Sequence, residues 1–135
     1  MKTIEVALTE LQHACEDMHA AKTERIGSPS LGDVVRQGDI YLVCIDKCNG
    51  TPTKDMQLAP GNTQGSRHIL QGNVQVYNEC TYQSVDKVLV GPSFQCVGET
   101  TVTHPEHGDK VLPEDTCWQV IYQQAFADEV RRVRD

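Results

Sequence analysis

From residue 34 onward the chain breaks into short β-branched runs separated by turn-forming pairs, and this rhythm constrains its fold more than any other feature. Ile40-Tyr41-Leu42-Val43-Cys44-Ile45 is nearly continuous in apolar character and follows Gly38-Asp39. Such a run reads as a central strand buried on both faces. Further strands are expected at 67–70, 74–77, 87–90, 94–97, 100–104 and 117–126, with Gly72-Asn73 and Gly91-Pro92 as turns between them. In the last of these, Trp118, Val120 and Tyr122 would share one face, with Cys117, Gln119, Ile121 and Gln123 on the other. Asn49-Gly50 in the polar loop 47–54 is a hairpin signal, predicting a return from strand 40–45 to one near 55–59. The expected class is mostly β (α+β): a small antiparallel β-barrel or sandwich.

An added N-terminal amphipathic helix is expected over 4–25. Ile4, Leu8, Leu11, Cys15 and Met18 fall on one apolar stripe, Thr3 is the N-cap, and Glu5 suits the positive end of the helix dipole. Gly27-Ser28-Pro29-Ser30 stops it. The helix either packs across the sheet or assembles copies, which makes Ile4, Leu8, Leu11 and Met18 candidate binding residues and a homo-oligomer the expected state. His13, Asp17 and His19 on the same helix read as a solvated face. One domain is expected over 1–135, with a β-rich body at about 34–126 and a charged tail in which Arg131, Arg132 and Arg134 read as a solvated terminus with local ion pairs, the alternative being contact with an acid-rich partner or a phosphate.

Charge narrows the partners. A formal net charge of −7 opposes nonspecific binding to DNA or RNA, whose phosphates need a basic surface. The acidic residues near Met1 interrupt any export-signal pattern, and no apolar run nears the roughly 20 residues of a membrane span. The expectation is a soluble protein made in the cytoplasm, reaching a virion if phage-encoded, with no nucleic-acid or membrane partner. Cys15, Cys44, Cys48, Cys80, Cys96 and Cys117 contain no Cys-x-x-Cys pair and read as buried, reduced thiols. A Cys44–Cys48 disulfide is the alternative in an oxidising compartment.

Thr103-His104-Pro105-Glu106-His107-Gly108-Asp109 holds the candidate site. Pro105 and Gly108 make it a shaped turn. His68 lies at the entrance of another expected strand. If those strand ends meet at one rim, His68, His104 and His107 would converge. Three imidazoles with an open position are the pattern of a catalytic zinc site, and Glu106 as a fourth ligand would close it into a structural one. The competing reading is that His104 and His107 satisfy backbone groups in the turn while Glu106 caps a neighbouring amide. Acid–base use of His107 with Glu106 lacks a nucleophile motif to accompany it.

Arg36-Gln37-Gly38-Asp39-Ile40-Tyr41-Leu42, Thr63-Gln64-Gly65-Ser66-Arg67-His68, His104-Pro105-Glu106-His107-Gly108, Tyr122-Gln123-Gln124-Ala125 and Asp135 together carry a resemblance. Residues 34–135 resemble a group of small, uncharacterised bacterial and phage proteins with an Arg-x-Gly-Asp strand, a Thr-Gly-x-x-His turn, a His-Pro-Glu-His-Gly turn and a Tyr-Gln-Arg-Glu strand. This chain departs from the pattern at Tyr-Gln-Gln-Ala, which loses a charge pair, and in the middle turn, where one residue separates Thr63 from Gly65. The resemblance implies the β fold and no particular activity.

The leading functional expectation is a noncatalytic β-rich binding or assembly module, in phage-encoded form a capsid decoration subunit or an acidic blocker of a host factor. The alternative is a small metal-binding protein or metal-dependent hydrolase using His68, His104 and His107, with a divalent metal such as zinc. A third is a redox or structural-zinc protein built on Cys44, Cys48 and another thiol.

Overall fold

A computed structural model describes residues 23–61, 63–83 and 85–123. Its strands are β1 (Glu24–Arg25), β2 (Val34–Gln37), β3 (Ile40–Ile45), β4 (Thr51–Thr53), β5 (Ile69–Asn78), β6 (Val90–Thr103), β7 (Lys110–Leu112) and β8 (Thr116–Tyr122), with 3-10 turns at Gln64–Ser66 and Lys87–Leu89. All join one sheet, which curls into a half-barrel. β6 is its spine. One edge of β6 carries β5, and the other carries β8 opposite its first half and β7 opposite its second. β3 and then β2 extend the sheet beyond β8, and β4 extends it beyond β5. Every pairing is antiparallel except β1 on β7.

The expected β class is observed. β3 is central, lies between β8 and β2, and is buried along most of both faces, as its apolar run requires. In β8, Trp118 and Val120 face the core with Tyr122 packed against it, while Cys117 and Gln119 take the other face. Phe94 and Trp118 oppose each other across β6 and β8 with no exposed surface. Each such side chain contributes roughly 1.5–3 kcal/mol by leaving water.

Several local expectations are corrected. The helix proposed for 4–25 lies mostly outside the described residues, as do Ile4, Leu8, Leu11, Met18 and the arginine tail. Its last turn is not helical, because Glu24–Arg25 forms a strand on Lys110–Val111. The Asn49-Gly50 turn does not return β3 into a hairpin. β4 pairs instead with β5, and the Asn49 amide bonds the Thr81 backbone in both directions, at 3.0 and 2.8 Å. Two expected turns are irregularities inside long strands. Gly72 bends β5 with φ +126°, where an added Cβ would stand 2.7 Å from the carbonyl oxygen of Glu99, so the chain bulges there without reversing. The register of β6 against β8 likewise slips between Val90 and Ser93, at Gly91-Pro92. The stretch 87–89, expected as strand, is a 3-10 turn started by the Asp86 side chain, which accepts from the Val88 amide.

Candidate functional site: a stacked histidine cluster

Four segments far apart in the chain meet at one end of the curl. They are the β2–β3 turn, the approach to β5, the β6–β7 turn and the end of β8. Strand alternation sets the first contribution. In β2 the inward positions are Val35 and Gln37, so an amide stands where an apolar residue would be usual. Gln37 is 1% exposed and its Nε2 donates to the carbonyls of Val102 at 2.8 Å and Gly108 at 2.7 Å. Two strands, β8 and β3, lie between β6 and β2 in the sheet order, so these bonds cross the concave side where no backbone ladder exists.

That donor pattern fixes the rest of the amide. Oε1 of Gln37 faces Nδ1 of His68 at 2.8 Å, so Nδ1 carries the proton and Nε2 is a bare lone pair. His68 is fully buried, and among the described residues its Nε2 has no hydrogen-bond partner. The His104 ring lies against His68 with centroids 4.4 Å apart and planes tilted by 40°, and the His107 ring lies 4.6 Å beyond, tilted by 34°. Exposure is graded along the stack, from buried His68 and His104 to exposed His107.

His104 organises its own turn. Its Nδ1 accepts the amides of Glu106 and His107, both at 3.1 Å, which leaves Nε2 to donate to the Gly65 carbonyl at 3.3 Å. This matches the turn-holding alternative for His104. Glu106 enters it through its amide, as a donor. Gly38, at φ +57°, packs against the His107 ring so closely that an added Cβ would collide with it. Asp39 completes the rim, with Oδ2 3.9 Å from where a Cβ on Gly65 would stand. Gln123 ties the end of β8 to this rim, its amide donating to the Asp39 carbonyl at 3.1 Å.

Burial dominates the electrostatics. It pushes the His68 pKa down to about 3, with the neighbouring imidazoles of His104 and His107 adding to the effect, while the Gly65 carbonyl favours the cation and loses. His104 is lowered for the same first reason, again against Gly65, with Asp39 and Glu106 also favouring its cation. Both rings are neutral near pH 7.

The sequence-expected residues His68, His104 and His107 are therefore brought together, with Glu106 in the same turn. They form a stack. Among the described residues, no group of three or more His, Cys, Asp or Glu side chains is placed to hold a metal ion. Gln37 and Gly65 stand in the sequence only as members of the 36–42 and 63–68 motifs, and their roles come from the structure. The signal for Gln37 was its place one pleat period after Val35, a polar residue on an inward position.

Residues 36–123 match a family described as a domain of unknown function, DUF8820. That span covers more than half of the chain and all four segments of the cluster, and the chain belongs to this family. No curated protein and no solved structure matches it. No helix among the described residues is long and apolar enough to cross a membrane.

Proposed function

We propose that this chain is a noncatalytic β-rich binding or assembly module whose histidine cluster holds the half-barrel closed. The observation that carries this reading is the use made of the imidazole nitrogens. Both nitrogens of His104 and Nδ1 of His68 are taken by main chain or by Gln37, so these two rings act on the scaffold. A general base needs a nitrogen within hydrogen-bond reach of an incoming proton. His68 is sealed from solvent, and a nitrogen already accepting two amides is unavailable.

The partner is a protein, either a second copy or a surface of opposite charge. The net charge of −7 favours a basic partner face, consistent with a phage-type accessory protein that decorates a capsid or covers a host factor. A metal-binding reading keeps one observation in its favour, the unpartnered lone pair of His68 beside two further imidazoles. Native mass spectrometry combined with elemental analysis of the full chain separates the two. The expected result is a multiple of the 15.0 kDa chain mass without stoichiometric zinc, manganese or iron. A monomer carrying one metal per chain, lost in His104→Ala, would overturn the assembly reading.

A further inference from the structure

The outer face of the sheet carries a second polar cluster, built from thiols. All the cysteines of the described residues are free. Cys44 and Cys96 face the core beside Trp118 and Phe94. Cys117 precedes Trp118, so the pleat turns it to the opposite face. It pairs in register with Ile45, the last residue of β3, and the chain runs only three residues further to Cys48. Both Cys48 and Cys117 are half-buried, and the Cys117 and Ser93 side chains are near enough to that of Cys48 to act on its ionisation. Cys80 is also near but is committed elsewhere. Its Sγ donates toward the carbonyls of Asn49 at 3.1 Å and Tyr77 at 3.3 Å, and it is 4% exposed. The Cys44–Cys48 pairing considered from sequence is therefore displaced by Cys48 with Cys117.

We propose that Cys48 and Cys117 form a dithiol site, which a low-molecular-weight disulfide such as oxidised glutathione converts to an intrachain disulfide. The thiolate of Cys117 attacks one sulfur of the reagent, forming a mixed disulfide and expelling one thiolate. That thiolate takes the Cys48 proton, and the Cys48 sulfur attacks the Cys117 sulfur. The Cys48–Cys117 bond forms and the second reagent thiolate leaves, to be protonated by water. Two protein thiols are oxidised and one disulfide is reduced to two thiols.

The order of attack follows from the environment. Burial first, and then the neighbouring Cys117, push the Cys48 pKa up to about 12, so Cys48 is held as a thiol while Cys117 reacts. Once Cys117 is a mixed disulfide it no longer ionises, and one cause of that suppression is removed. The closed bond would pin the loop after β3 to the start of β8, beside the link already made by Asn49 to Thr81.

The test incubates the full, reduced, folded chain with oxidised glutathione and reads intact mass and peptide maps. The expected product has lost two hydrogens and yields one cross-linked peptide pair, Cys48 with Cys117. Cys48→Ser should instead retain one glutathione on Cys117, because no resolving sulfur remains. Cys117→Ser, a second variant should the first fail to fold, should leave Cys48 unmodified over the same time. A cross-link to Cys80 or Cys44, no loss of hydrogens, or glutathione accumulating on Cys48 in Cys117→Ser would overturn the assignment.

Discussion

The histidine end and the thiol face are both polar clusters set against the same apolar core, and among the described residues each contains a buried atom without a hydrogen-bond partner. At the histidine end that atom is Nε2 of His68, and at the thiol face it is Oε1 of Gln119. The clusters differ in what they can sense. The histidine end joins four segments, and burial lowers the pKa values of its two inner rings, His68 and His104. The thiol face lies on the opposite side of the sheet, where burial pushes the Cys48 pKa up to about 12. Acid should therefore open the first and leave the second intact, whereas an oxidant should act on the second. One sheet carries two independent sensitivities because its two faces bury different chemistry.

Acid provides the largest expected effect. The folded pKa of His68, at about 3, lies below the value near 6.5 expected in the unfolded chain, so the unfolded state binds the proton more readily. The stability contributed by the neutral ring is fully present above about pH 6.5 and is lost as pH falls toward 3. The slope should approach about 1.4 kcal/mol per pH unit for each imidazole involved. Urea denaturation at a series of pH values from 7.5 to 4 measures it. His68→Leu should flatten the curve, and an unchanged slope in that variant would show that the titration lies elsewhere. Next in size is Gln37→Leu. It strips a partner from the buried Val102 carbonyl, from the part-buried Gly108 carbonyl and from His68 Nδ1, and should cost about 3 kcal/mol in urea, since each buried group left unsatisfied costs roughly 1–3 kcal/mol. A loss below about 1 kcal/mol would mean that water replaces the amide and that the seam is not held there.

How much of this was legible beforehand depended on the range of the interaction. Ile40–Ile45 was readable residue by residue, because its apolar run and its burial are set locally. The alternation of Trp118 and Val120 against Cys117 and Gln119 was readable for the same reason. Partner choice was not. Asn49-Gly50 has local hairpin chemistry, yet Asn49 is used to grip Thr81, thirty-two residues away. Gly72 and Gly91 look like turns because a bulge and a turn ask for the same residue, and only the neighbouring strand decides between them. For the site, the convergence of His68 with His104 and His107 could be anticipated from strand ends sharing a rim. Their stacked arrangement could not, since it depends on an amide in β2 that fixes the His68 tautomer across the curl.

Two smaller substitutions sharpen the contrast between the faces. His104→Ala removes the acceptor of the Glu106 and His107 amides and the donor to Gly65, and should cost about 2 kcal/mol, somewhat less than the Gln37 change because the turn lies nearer to solvent. Ser93→Ala is the matching change on the thiol face. The Ser93 hydroxyl donates to the Asn49 carbonyl at 3.2 Å and contacts Cys80 Sγ at 3.3 Å, but Cys80 reaches the same carbonyl by itself. Because Asn49 keeps that second donor, the expected loss is only about 1 kcal/mol. The pH dependence between 7.5 and 4 should stay that of the unmodified chain, because the imidazoles keep their surroundings. A Ser93→Ala protein whose acid sensitivity changed along with its stability would show that the two clusters are coupled through the core, and the independence argued for the two faces would fail.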